Sequence, residues 1–139
     1  MNEREYTEQM LEGGKTLAYL KHRFLSKQTA EQLNWLLSCL RDSELLVPIL
    51  PETGQPDLLE SDDGIKFLPV FSQPEQMPAD YRERFELKTM DFGACLALAR
   101  SIGEVQAIVL DGLTEPMTIN YHLGDAIMRR PSRLHPAGE

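Results

Sequence analysis

The sequence predicts an α+β fold, with a single mixed β-sheet of about five to six strands flanked by helices and preceded by an N-terminal helical segment. Three observations lead there. Two stretches carry apolar residues at helical spacing before any strand pattern begins. Short apolar runs of strand length then follow, each bounded by proline, glycine or Asp-Gly turns. Between the last of these runs lies one further amphipathic helix.

The elements follow in order. Residues 1–14 are acidic and end in Gly13-Gly14. Leu17, Leu20, Phe24 and Leu25 predict a helix over 16–26. Thr29, with Gln32 three residues later, has the spacing of a capping box. There the cap side chain accepts from an orphan backbone N–H and the later residue reaches back. Leu33, Leu36, Leu37 and Leu40 then recur at i, i+3, i+4 and i+7, predicting a helix over 30–41 with Trp35 off the stripe. Residues 45–50 read as a buried strand. Pro48 lacks an N–H, so this strand is expected at an edge or ending near the proline.

Residues 51–64 are polar, with 57–60 as a short returning strand and Asp63-Gly64 as a turn. Residues 65–72 are apolar on both faces and predict a central strand whose pairing breaks at Pro69. Residues 73–82 suit a loop with one helical turn, and Phe85 to Thr89 alternate like a half-buried strand. Asp91 is an N-cap candidate for a helix over 92–102. Strands are expected at 105–110 and 117–121, separated by the turn at Asp111-Gly112, and a last helical turn at 124–129. Three parts result: a helical arm over 1–28, an α/β domain over 29–128 and a flexible tail over 129–139.

At 139 residues the chain suits one domain with a core of its own. The formal net charge of −8 disfavours nucleic acid and anionic membrane surfaces as partners and leaves protein partners open. No apolar run approaches the length of a membrane span. The N-terminus lacks the pattern of a signal peptide, so the expected compartment is the cytoplasm. Cys39 and Cys95 lie in apolar helical patterns and are expected to be reduced and inward-facing.

Chemistry-bearing motifs are sparse. Gly14-Lys15-Thr16 matches only the end of a phosphate-binding loop, because Gln9 stands where the first glycine belongs. It reads as a hinge. The carboxylates between Glu52 and Asp63 fit no calcium loop and read as a solvated hairpin. His22, His122 and His135 are scattered, with no paired spacing for zinc, and His22 is expected to face solvent. Arg129, Arg130 and Arg133 read as a solvated basic tail. No catalytic residue, metal ligand or cofactor is assigned.

A combination of segments does point to a family. A leucine-rich helix leads into Leu46-Val47-Pro48. An acidic hairpin then precedes Phe67-Leu68-Pro69-Val70-Phe71-Ser72, with Pro74-Glu75-Gln76 next and Val105 to Leu110 after a small-residue helix. Over about residues 29–128 this order resembles the N-terminal domain of the SseB family, named for enhanced serine sensitivity. Family members often carry threonine where Ser72 stands and an Asn-Pro-Gly-like turn where this chain has Asp111-Gly112-Leu113. Many also carry a second, C-terminal domain. The resemblance implies a mixed α/β fold with no established catalytic residues, metal or cofactor.

The leading expectation is a non-catalytic protein-interaction or regulatory domain, not an enzyme. Its candidate interaction surface is Leu46, Val47, Pro48, Leu68, Pro69, Val70 and Phe71, where prolines interrupt ordinary ladder pairing. The alternative is a small-molecule-binding or hydrolytic domain with a pocket near His122, Ser72 and Asp111. A third reading is homodimerisation through the apolar sheet face.

Overall fold

The computed structural model describes residues 15–130. The acidic N-terminal stretch, Gly14 of the Gly-Lys-Thr sequence, and Arg133 and His135 of the tail lie outside them.

Helix α1 spans Lys15–Ser26 and α2 spans Ala30–Asp42. Thr29 caps α2 as its spacing predicts, its Oγ1 accepting from the Gln32 N–H at 3.1 Å. The strands are β1 (Glu44–Ile49), β2 (Leu59–Glu60) and β3 (Lys66–Val70). A 3₁₀ turn (Pro74–Gln76) and helix α3 (Ala79–Glu83) then lead to β4 (Glu86–Asp91) and α4 (Phe92–Ser101). β5 (Val105–Leu110), β6 (Met117–Asn120) and α5 (Tyr121–Met128) complete the order.

The α+β class is as predicted, but the single sheet is not. The six strands form two hydrogen-bonded sheets. One has the order β2-β3-β5-β6, with β3 and β5 parallel and the outer pairs antiparallel. The other is the antiparallel pair β1-β4, in register from Glu44↔Asp91 to Ile49↔Glu86. A reciprocal bridge joins them, in which Leu46 and Phe71 exchange backbone hydrogen bonds of 2.9 Å each way.

The prolines explain the division. N–H and C=O of one strand residue point to the same edge, and the next residue's point to the other. The Val70 carbonyl accepts from Asp111 on the β5 side. Phe67, Pro69 and Phe71 therefore face the opposite edge, where β2 pairs at Phe67 and β1 at Phe71. Pro69 falls between the two, where its missing N–H interrupts nothing. Pro48 is likewise inside β1, and its carbonyl accepts from Asp57 on the side away from β4, so the β1-β4 ladder is intact.

Side-chain alternation sorts the sheet into two faces. Leu45, Val47, Leu68, Val70, Ile108, Leu110 and Ile119 pack with Leu17, Leu36, Leu40, Phe92, Cys95 and Ile127 from α1, α2, α4 and α5. Each fully buried leucine or isoleucine there contributes about 1.5–3 kcal/mol. On the other face Phe71, Met77 and Tyr81 form a smaller cluster with Leu46 and Phe85. Its rings stack at a tilt, 5.9 Å for Phe71–Tyr81 and 4.7 Å for Tyr81–Phe85. The Tyr81 hydroxyl donates to Asp57 at 2.7 Å, satisfying its one polar atom.

Two details depart from the sequence reading. The last helix starts earlier than the helical turn expected at 124–129, because Asn120 caps it by accepting from the Leu123 N–H at 2.8 Å. Arg130, assigned to the tail, donates to Ser38 and to Asn34 on α2.

Cys39 and Cys95 form no disulfide with each other. Burial, then the nearby Asp91 carboxylate, pushes the Cys95 thiol up to about 12. A thiolate-selective reagent at neutral pH is therefore expected to label half-buried Cys39 first and to reach Cys95 only on unfolding. Peptide mass spectrometry of native and denatured samples checks this.

Candidate functional site

The chemistry-bearing side chains gather where parallel strands β3 and β5 end. Ligands of open α/β sheets commonly bind outside the carboxyl ends of such strands. Ser72 stands two residues past β3 and Asp111 immediately past β5. Asp111 is fully buried and takes the left-handed backbone conformation, with φ 53°. It is the only non-glycine with positive φ among the described residues. Aspartate tolerates this region better than most residues.

Asp111 holds that conformation through bonds on every side. Its N–H donates to the Val70 carbonyl at 2.9 Å, and its carbonyl accepts from the Thr114 N–H at 3.1 Å. One carboxylate oxygen accepts from the Ser72 N–H at 2.9 Å, and the other from the Ser72 hydroxyl at 2.8 Å.

The second oxygen also faces Lys21 Nζ at 3.3 Å. Lys21 belongs to α1 and is 1% exposed, a rare condition for lysine unless it is paired. It reaches its partners across the middle of the chain. Nζ donates to the Glu115 carbonyl at 2.5 Å and to Glu115 Oε1 at 3.2 Å. The ammonium thus donates two hydrogen bonds to Glu115 and forms an ion pair with Asp111. Exposed His22, next on the helix, places Nδ1 2.8 Å from Glu115 Oε2. The result is a ladder from solvent to interior: His22, Glu115, Lys21, Asp111, Ser72. Thr114 ties the same loop to the 3₁₀ turn by donating to Gln76 at 2.5 Å.

The carboxyl of Glu115 is held below its ordinary value, first by the bond to His22 and then by Lys21. Among the described residues, no group of three His, Cys, Asp or Glu side chains is placed to hold a metal ion.

The alternative pocket is therefore divided. Ser72 and Asp111 are in direct contact, but His122 is not with them. Asn120 pairs with Ala107, and the Tyr121 hydroxyl donates to the Val105 carbonyl, which places exposed His122 beside the start of β5. About 13 Å of strand separates Ala107, the partner of Asn120, from Asp111.

The candidate interaction surface is also corrected. Val47, Pro48, Leu68, Pro69, Val70 and Phe71 are buried, and Leu46 is half-buried. Their apolar side chains fill the interior on the two faces of the sheet, so this set is core and not open surface.

Sequence reasoning missed Lys21. A lysine beside a histidine on a helix reads as a solvated pair, and nothing local signals a carboxylate arriving from far along the chain. The one available hint was Lys21 itself, one residue beyond Leu20 on the apolar side of α1.

Removing one member of a buried ion pair leaves the other uncompensated. Asp111→Ala should destabilise the protein by about 3–5 kcal/mol, read by urea unfolding, with Lys21→Met together with Asp111→Ala losing less than the two single losses combined. Glu115 gives a pH dependence. Its lowered folded-state value means that its contribution is present above the ordinary glutamate range and lost as pH falls through the folded value. The stability gap between the native protein and Glu115→Gln should thus narrow on acidification, measured as melting midpoints from neutral pH downwards.

Comparison with known families matches residues 21–120 to the SseB protein N-terminal domain. The matched span starts at Lys21 and ends at Asn120, so it holds Ser72, Asp111 and Glu115 together with every strand. Neither the curated proteins nor the solved structures yield a match. With a family model that covers most of its length and a fold of the predicted class, the chain belongs to the SseB N-terminal domain family.

Proposed function

We propose that this domain is a non-catalytic interaction or regulatory module. The observation that carries this reading is the closed polar ladder at the strand ends. Lys21, Ser72 and Asp111 are each at most 4% exposed; Ser72 donates its N–H and its hydroxyl to Asp111, and Lys21 forms an ion pair with the same carboxylate. A general base or nucleophile must reach a substrate proton or carbon within hydrogen-bond distance. Here the serine hydroxyl already donates to a carboxylate, and an ammonium neutralises that carboxylate. The groups serve to fasten α1 and the loop 111–116 to the sheet. Membership of the SseB family, whose role is poorly defined, is compatible with such a module and assigns no reaction.

A second reading rests on the same residues. Backbone strain at a buried aspartate, beside a serine and a lysine, is also how reactive sites are built. Under this reading the loop carrying Thr114 and Glu115 opens to admit a small molecule.

Ser72→Ala distinguishes the two. In an interaction module the variant lowers the melting midpoint, releases no bound metabolite and changes no turnover of a panel of ester and phosphate substrates. A hydrolytic activity or a co-purifying metabolite present in the native protein, and lost in Ser72→Ala while circular dichroism shows it folded, would overturn the proposal in favour of the second reading.

A further inference from the structure

Strand β4 is the outer strand of the two-stranded sheet, hydrogen-bonded to β1 on one edge and to no other strand among the described residues. Five of its six residues are exposed, and Leu87 is among the few large hydrophobics left open, at 36%. An edge of this kind presents a row of unpaired N–H and C=O groups to any extended chain. Its sequence is Glu86-Leu87-Lys88-Thr89-Met90-Asp91.

A second copy of the chain can pair with this edge only in certain registers. Antiparallel pairing about a two-fold axis that keeps both sheets continuous must preserve faces, and side chains alternate with period two. The axis must then pass through a residue. Centring on Lys88 sets Lys88 against its own copy. Centring on Thr89 sets Leu87 against Asp91, whose side chain is already engaged as the α4 cap, accepting from Ala94. Centring on Leu87 sets Leu87 against Leu87, and Glu86 against Lys88 on both sides of the axis. Directly opposed unlike charges favour a cross-strand pair, and like charges oppose it. The last register is the self-complementary one.

We infer that β4 is a homodimerisation edge, in which two copies pair antiparallel about Leu87 over Glu86 to Lys88 and so bring the two β1-β4 ribbons edge to edge. The net charge of −8 opposes bringing two copies together, so complementarity has to be local. Glu86 and Lys88 supply it, and Leu87 supplies the apolar contact. This inference rests on the edge alone and stands apart from the proposed function, whose test reads Ser72.

Sedimentation velocity over a range of concentrations tests it with four proteins: the native chain, Leu87→Lys, Lys88→Glu, and the exchange Glu86→Lys with Lys88→Glu. All the changes lie on exposed side chains, and far-UV circular dichroism checks folding. The expected result is a monomer–dimer equilibrium in the native chain. Leu87→Lys and Lys88→Glu should weaken it roughly tenfold or more. The exchange should restore it, because the two opposed positions then carry unlike charges again with their signs reversed. A native chain that stays monomeric throughout overturns the inference and identifies Lys88 as a guard against edge pairing. A dimer indifferent to Leu87→Lys places the interface elsewhere and overturns it equally. Loss of the dimer in the exchange variant as well overturns the Leu87-centred register.

Discussion

The ammonium of Lys21 is buried at the end of a parallel strand pair, and much of the architecture around it follows from that burial. An unpaired charge there would cost several kcal/mol in desolvation. Asp111 and Glu115 are the compensation. Because their partner is on α1, the helix, the end of β5 and the following loop are obliged to arrive together. Ser72 completes the arrangement from β3 by donating both its N–H and its hydroxyl to Asp111. One carboxylate therefore contacts α1 and the segment after β3 from its own place at the end of β5. Apolar burial is non-directional. The ion pair supplies direction.

The same feature shapes what the domain can do. Ser72, Asp111 and Lys21 engage one another at the ends of the parallel strands, and Glu115 of the following loop joins them to α1. The left-handed backbone at Asp111 is held by polar contacts to Val70, Ser72, Thr114 and Lys21. What remains outward is largely charged and polar surface, with Tyr19, Trp35 and Leu113 exposed among it, together with the β4 edge that carries Leu87.

The prolines play an organising part in addition to the one their residue type suggests. Pro48 and Pro69 each stand one residue before the end of their strand, so β1 does end near its proline as the sequence suggests. Each has its missing donor directed to a position where no ladder bond is required. Pro69 marks the point at which β3 passes from one neighbour, β2, to another, β1. The six strands are thus divided into a ribbon and a sheet, where the strand count alone suggests one continuous sheet.

Most of the element order was legible in the sequence because it depends on local rules. The α2 leucines, the Thr29 and Asp91 caps, the apolar run at 105–110 and the turn at Gly64, with φ 81°, each carry their signal within a few residues. The break in pairing expected at Pro69 is not found on the β5 side, where Pro69 pairs with Val109; on the other edge Pro69 falls between the β2 and β1 contacts. The Asn120 cap was local too, but Met117 to Tyr121 alternates well enough to read as strand to its end. Other features were decided by tertiary structure alone. Whether Leu46 to Pro48 and Leu68 to Phe71 form surface or interior depends on what packs over them, and the helices and α3 do. Whether Ser72 and Asp111 meet His122 depends on strand register. The role of Lys21 depends on Glu115, 94 positions away. Periodicity and capping report the free energy of a few neighbouring residues, whereas the burial of a charge is determined by partners that only the folded chain brings within reach.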